Sequence, residues 1–211
     1  MKRLSFVGLL IIAALCLMIA GTASAAKKPT NLTLSTAKGP LAAGAPVKAE
    51  STDLIFETSA GNLECTSNVI EGTVGNNDSK KDSGNVTAEK SSGGEPGGLC
   101  KTTTPLGAAE ITTQNLPWTD VFTSKGANEV KGKKVSFTST FPSAGGAKCV
   151  FEAAKVKSSF TIGGPVQLTT TKQKFKASKK ASNPACPKEG TLTGHWTVTS
   201  GGETVTSELT L

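Results

Sequence analysis

Val135-Ser136-Phe137-Thr138-Ser139-Thr140-Phe141, followed by Gly145-Gly146 and then Lys148-Cys149-Val150-Phe151, is the stretch whose reading decides the fold class. Val135, Phe137 and Phe141 alternate with serine and threonine, a period of two that sets them on one face of a strand. The glycine pair turns the chain, and Cys149 and Phe151 share one face of the returning strand. The segment therefore reads as a β-hairpin with one apolar and one wet face.

The same grammar recurs on both sides. Leu54 and Phe56 point away from Asp53 and Glu57, Ser59 to Asn62 turns the chain, and Leu63-Glu64-Cys65 returns before Val69 to Val74. Downstream, Phe160 with Ile162 and Val166 with Leu168 flank Gly163-Gly164-Pro165. Leu192, Trp196 and Val198 then precede a Gly201-Gly202 turn, with Val205, Leu209 and Leu211 beyond it. These apolar residues are the expected core. No stretch sustains a 3.6-residue apolar period, so the expected class is all-β, an antiparallel sandwich or barrel forming one domain over residues 46–211. Two polar stretches, 76–98 and 178–190, read as long solvated loops. Gly61-x3-Cys65 and Gly145-x3-Cys149 echo each other, compatible with two similar, duplicated halves and equally with chance.

The first 25 residues read as an export signal. Lys2 and Arg3 precede an apolar run from Leu4 to Ala20, and Ala23-Ser24-Ala25 supplies the small residues of a cleavage site after Ala25. About 17 apolar residues lie at the short limit for crossing a bilayer. The expectation is therefore a secreted, extracellular chain with no membrane span after cleavage. Cys16 follows Leu15 inside the apolar run and is not a lipid attachment site. Residues 26–45 read as a flexible N-terminal segment in which Leu32-Thr33-Leu34 offers at most a short edge strand.

Beyond Ala25 four cysteines remain, Cys65, Cys100, Cys149 and Cys186. An even number in an exported chain points to disulfides. Their intervals of 35, 49 and 37 residues contain no Cys-x-x-Cys pair, and the single histidine does not complete an ordinary mixed zinc site. Three connectivities are open. Cys65–Cys100 with Cys149–Cys186 is favoured, because each closes a loop of similar size around a polar stretch.

After cleavage the chain has 21 lysines, no arginine and 16 acidic residues, a surplus of five positive charges. Lysine lacks the planar fork by which arginine reads guanine, so sequence-specific nucleic-acid binding is not expected. A soluble surface explains the charge, with attraction to anionic cell-envelope polymers as the functional alternative.

Catalytic grammar is missing. His195 lies on the face opposite Leu192, Trp196 and Val198, hence outward, and there is neither a Gly-x-Ser-x-Gly elbow nor a His-Glu-x-x-His. A sugar site wants aromatic platforms, yet there is no tyrosine, and Trp118 in Pro117-Trp118-Thr119 reads as a core anchor. Asp78 and Asp82 do not have calcium-loop spacing and are interleaved with Lys80 and Lys81. No cofactor and no metal are expected.

Leu63-x-Cys65-Thr66-Ser67-x3-Glu71-Gly72-Thr73-Val74 with Asn76, Leu116-Pro117-Trp118-Thr119, and Cys186-Pro187-x3-Thr191-Leu192-Thr193-Gly194 together resemble a group of secreted actinobacterial two-disulfide β proteins with no assigned function. The resemblance covers most of residues 50–211 and implies compartment and fold, with no active site to carry over. Where that group tends to place a Phe-Ser-Gly-like phrase before the second cysteine, this chain has Gly97-Gly98-Leu99-Cys100. The expected function is a non-catalytic cell-envelope or extracellular interaction module. The alternatives are a small-molecule carrier with an apolar pocket and an atypical carboxylate-dependent hydrolase.

Overall fold

A computed structural model describes residues 30–179 and 182–211. The export signal, Cys16, the cleavage site after Ala25 and the start of the N-terminal segment lie outside the described residues. The order is β1 (Asn31–Thr36), β2 (Gly39–Pro40), β3 (Pro46–Ser51), β4 (Leu54–Thr58), β5 (Gly61–Cys65), β6 (Ser67–Asn76) and β7 (Lys81–Ser92). Next come β8 (Lys101–Thr102), β9 (Glu110–Gln114), β10 (Trp118–Thr123), β11 (Ala127–Phe141) and β12 (Ala147–Ser159). Last are β13 (Gly164–Pro165), β14 (Gln167–Ala177), β15 (Glu189–Ser200), β16 (Glu203–Thr204) and β17 (Thr206–Thr210).

Eight of these close into an antiparallel barrel in the order β14-β12-β11-β10-β7-β6-β3-β15, with β15 pairing back to β14. The all-β expectation holds, and the architecture is a barrel. Eight strands give an interior just wide enough for side chains or one small ligand. Two long strands change partner along their length. β11 pairs β10 through residues 127–131 and β9 through 136–140, with a bulge between Lys131 and Val135. β15 pairs β3 through residues 197–199 and β4 through 190–193, and β4 leads outward to β5 and β8. A second sheet, β13-β17-β1-β2, closes one end. It is tied down where Leu32 donates its N–H to Ser79 O (2.7 Å) and Val205 donates to Val198 O (2.9 Å).

The hairpin that decided the class forms as read, Phe137 opposite Phe151. Three expectations need correction. Residues 31–45 are not a flexible lead-in: β1 pairs β17 along five residues and Leu32 is fully buried. The edge strand offered by Leu32-Thr33-Leu34 is thus longer than read, and its Thr33 is buried because the hydroxyl donates to Asp78 Oδ1 within the cap. The stretch 76–98 is not a long loop, since β7 occupies Lys81–Ser92 in the barrel wall between β6 and β10. Its inward positions are Asp82, Gly84 and Val86 and, past a bulge, Glu89 and Ser91, so no apolar alternation announced it, and ladder bonds on both edges hold it instead. Gly84 is required there, because a Cβ would lie 2.6 Å from Thr73 O. β3, β6 and β7 share one closed barrel with β10, β11, β12, β14 and β15. Of the expected core, Leu209 and Leu211 are exposed: they continue the parity of the buried Val205 and Ser207, but the covered part of that face ends at Ser207.

Both disulfides form with the favoured connectivity, Cys65–Cys100 and Cys149–Cys186. The first encloses the β6–β7 hairpin, not a loop. The second does clamp a loop, tying β12 to the segment after Ser178. Their sequence separations of 35 and 37 residues set the loop-closure entropy that each removes from the unfolded chain. Replacing both cysteines of either pair by alanine is expected to lower unfolding stability by about 3 kcal/mol, measured by chemical denaturation.

Candidate functional site

Side chains from every wall converge on the barrel interior. Phe56, Phe137 and Phe175, with Trp118, Trp196, Leu168, Val135 and Ile111, line a cavity of ≈ 120 Å³. The rings pack edge-on: Phe56 lies 5.1 Å from Phe137 and 4.7 Å from Phe151 between centroids. Their chain positions follow from strand alternation, but Phe56 also needs Gly190, where a Cβ would approach its ring to 2.4 Å.

Polar groups are built into two sides of this cavity. On one, Trp196 donates its indole N–H to Asn68 Oδ1 (2.6 Å), and Asn68 Nδ2 donates to Ser91 Oγ (2.8 Å) and to Glu89. Thr113 and Ser91 also donate to the Glu89 carboxylate. On the other, Asn128 donates to Asp120, and Ser158 and Thr170 share a hydroxyl hydrogen bond of 2.7 Å. Among the described residues the buried Trp118 Nε1 and Asn128 Oδ1 have no hydrogen-bond partner. The two tryptophans thus differ: both are buried as expected, but only Trp196 has its N–H satisfied.

Two interior carboxyls are perturbed. Burial pushes Asp120 up to about 6, against the pull of hydrogen bonds from Asn128 and the Val121 backbone. Asp82 is likewise pushed up to about 6 by burial, against donation from the Ser79 backbone and hydroxyl, with nearby Asp78 adding repulsion. Both line a smaller cavity of ≈ 50 Å³ beneath the capping sheet, room for no more than a water or two. They stand on neighbouring strands and do not face each other across a cleft, so they lend no support to a glycosidase-like hydrolase. Asp78 instead ties the cap together, accepting from Thr33 Oγ1 (3.2 Å) and Thr210 Oγ1 (2.6 Å).

His195 points outward and meets Asp53, with Nδ1 2.6 Å from Oδ2. Burial disfavours the Asp53 carboxylate, but hydrogen bonds from His195 and Ser51 outweigh it and hold its pKa below the ordinary value. Ser51 donates to Asp53 Oδ1 (2.9 Å), so aspartate stands between serine and histidine. A nucleophile system needs the histidine in the middle. The exposed pair is a surface hydrogen bond.

Outside the barrel, β11, β12 and β14 lie side by side and carry nine lysines against two glutamates. Lys131 pairs with Lys155 in register and Glu152 with Lys176. Among the described residues two ion pairs neutralise the face, Lys134–Glu152 and Lys155–Glu129 (2.8 Å). Everything else from residue 26 on holds twelve lysines against fourteen acids, so the whole positive surplus sits on this wall. Sequence reasoning counted these lysines without placing them. The signal was there: Lys131 and Lys133, Lys155 and Lys157, and Lys172, Lys174 and Lys176 each recur every second residue, the spacing of one strand face.

The described residues contain no helix long and apolar enough to cross a membrane and no cluster of His, Cys, Asp and Glu able to hold a metal ion. Two disulfides fit an oxidising, extracellular setting. In comparisons with protein-family models, curated proteins and solved structures, the chain matches none.

Proposed function

We propose that this protein is a secreted, non-catalytic module that holds linear polyanions of the cell envelope, polymers with a phosphate or carboxylate on each repeat, against its lysine wall. The observation that carries this reading is charge segregation. Nine lysines and two glutamates share three adjacent strands, while the remainder of the exported chain is slightly acidic. A merely solubilising charge would be interspersed with acids. Lysines are compact point charges that follow a repeating anion without demanding its geometry. The wall has no exposed large apolar side chain to insert into a bilayer; Leu209 and Leu211, at the capping sheet, are the exposed ones among the described residues. A flexible polymer can also drape over a curved wall that a flat membrane meets only along a line.

The test is retention on long-chain inorganic polyphosphate and on purified anionic cell-wall polymer. Binding is expected at low ionic strength and should fall steeply with salt. The triple variant K131Q/K157Q/K174Q should bind about 100-fold more weakly, taking roughly 1 kcal/mol per lysine near an anionic surface. The variant K81Q/K90Q/K101Q, which removes the same charge from β7 and β8, should bind like the parent. Equal weakening by both, or no retention at low salt, rejects the proposal.

A further inference from the structure

The geometry points to a second site, inside the barrel: a pocket for one compact, largely apolar molecule bearing a hydrogen-bond acceptor. Its volume of ≈ 120 Å³ suits a single six-membered ring or a short branched chain, for dry apolar cavities of about 150 Å³ in other proteins take up benzene. The walls supply apolar surface from Phe56, Phe137, Phe175 and Leu168. The specific element is Trp118. It lines the cavity, is only 7% exposed, and its indole N–H has no acceptor among the described residues. Leaving such a donor buried and unpaired is costly, and the neighbouring Trp196 shows how this same interior satisfies one, through Asn68 Oδ1 at 2.6 Å. An acceptor carried by a ligand would do for Trp118 what Asn68 does for Trp196. Asn128, 2% exposed, offers its unpaired Oδ1 to a ligand donor at the same cavity. No cation lines the cavity, and its one carboxylate, Glu89, already accepts from Asn68, Ser91 and Thr113, so the ligand class is neutral: a small cyclic or branched ketone, ether or alcohol.

This site is independent of the lysine wall, and its test does not involve polyanions. Cyclohexanone and methylcyclohexane, similar in size and differing in the carbonyl, are titrated against the full exported chain by ligand-observed NMR and by the shift in thermal unfolding midpoint. Saturable one-to-one binding is expected, with cyclohexanone preferred about tenfold, the worth of one buried hydrogen bond. Trp118→Phe keeps most of the ring and removes the N–H. It should fold, judged by its unfolding transition, and abolish the preference while retaining methylcyclohexane binding. Failure of both probes to bind the parent protein overturns the pocket. An unchanged preference in the Trp118→Phe protein, or no preference in the parent, overturns the role of Trp118.

Discussion

Replacing Phe56 with alanine is expected to destabilise the protein by about 4–5 kcal/mol, the upper part of the range for removing a buried phenylalanine. Phe56 is 2% exposed and its ring meets those of Phe137, Phe151 and Phe175 edge-on. It therefore loses aromatic pairing as well as apolar burial. Collapse into the space left is restricted. Gly190 lies against the Phe56 ring and has no side chain to fill it, and an interior cavity already adjoins the site. Phe56→Leu, which keeps most of the volume, should cost about 1–2 kcal/mol. Urea denaturation of both variants checks the pair. A loss below 2 kcal/mol for the alanine variant would mean that the four rings do not form the hub described.

Stability should fall, not rise, as pH is raised from 4 to 7, by about 5 kcal/mol if Asp82 and Asp120 each contribute a shift of roughly two pH units at 1.36 kcal/mol per unit. Both carboxyls are pushed from 3.8 up to about 6 by burial. Between those values the folded chain holds protons that the unfolded chain has released, so each added pH unit favours unfolding until both groups are ionised. Above pH 6 to 7 the effect levels off. Asp53, Glu129 and Glu203, lowered by their partners, act in the opposite sense at lower pH, but Asp53 is exposed and the two glutamates only half-buried, so solvent screens them. The double variant D82N/D120N should flatten the curve and raise stability at pH 7. Asparagine still accepts from Ser79 at the first position and from Asn128 at the second. Denaturation midpoints across that pH range decide it, and a parent curve that rises toward pH 7 would sink the argument.

Much of the barrel was legible because its faces differ in polarity. Val135 to Phe151 announced a hairpin, and the parity of Leu192, Trp196 and Val198 correctly turned His195 outward. What stayed hidden obeys another rule. β7 turns Asp82 and Ser91 inward, and β10 turns Asp120 inward between Trp118 and Phe122. Such strands are stabilised by ladder bonds and interior hydrogen-bond networks, which leave no apolar rhythm in the sequence. The disulfide pairing followed from loop size, although one enclosed loop proved to be a hairpin. The lysine wall required knowing that β11, β12 and β14 are neighbours, and neighbourhood is a property of topology. Asp53 met His195 for the same reason, 142 residues apart in the chain.

The pairing of β1 with β17, Asn31 opposite Thr210, has a consequence for how the molecule is made. Beyond its short pairing with β2, the first strand made waits for almost the last one before its longer ladder can form. Until then Leu32 and Leu34 have nothing to seal, and the barrel end above Asp82 stays open to water. The cap therefore closes only once that final strand has arrived. Timing, as much as packing, is written into that one ladder.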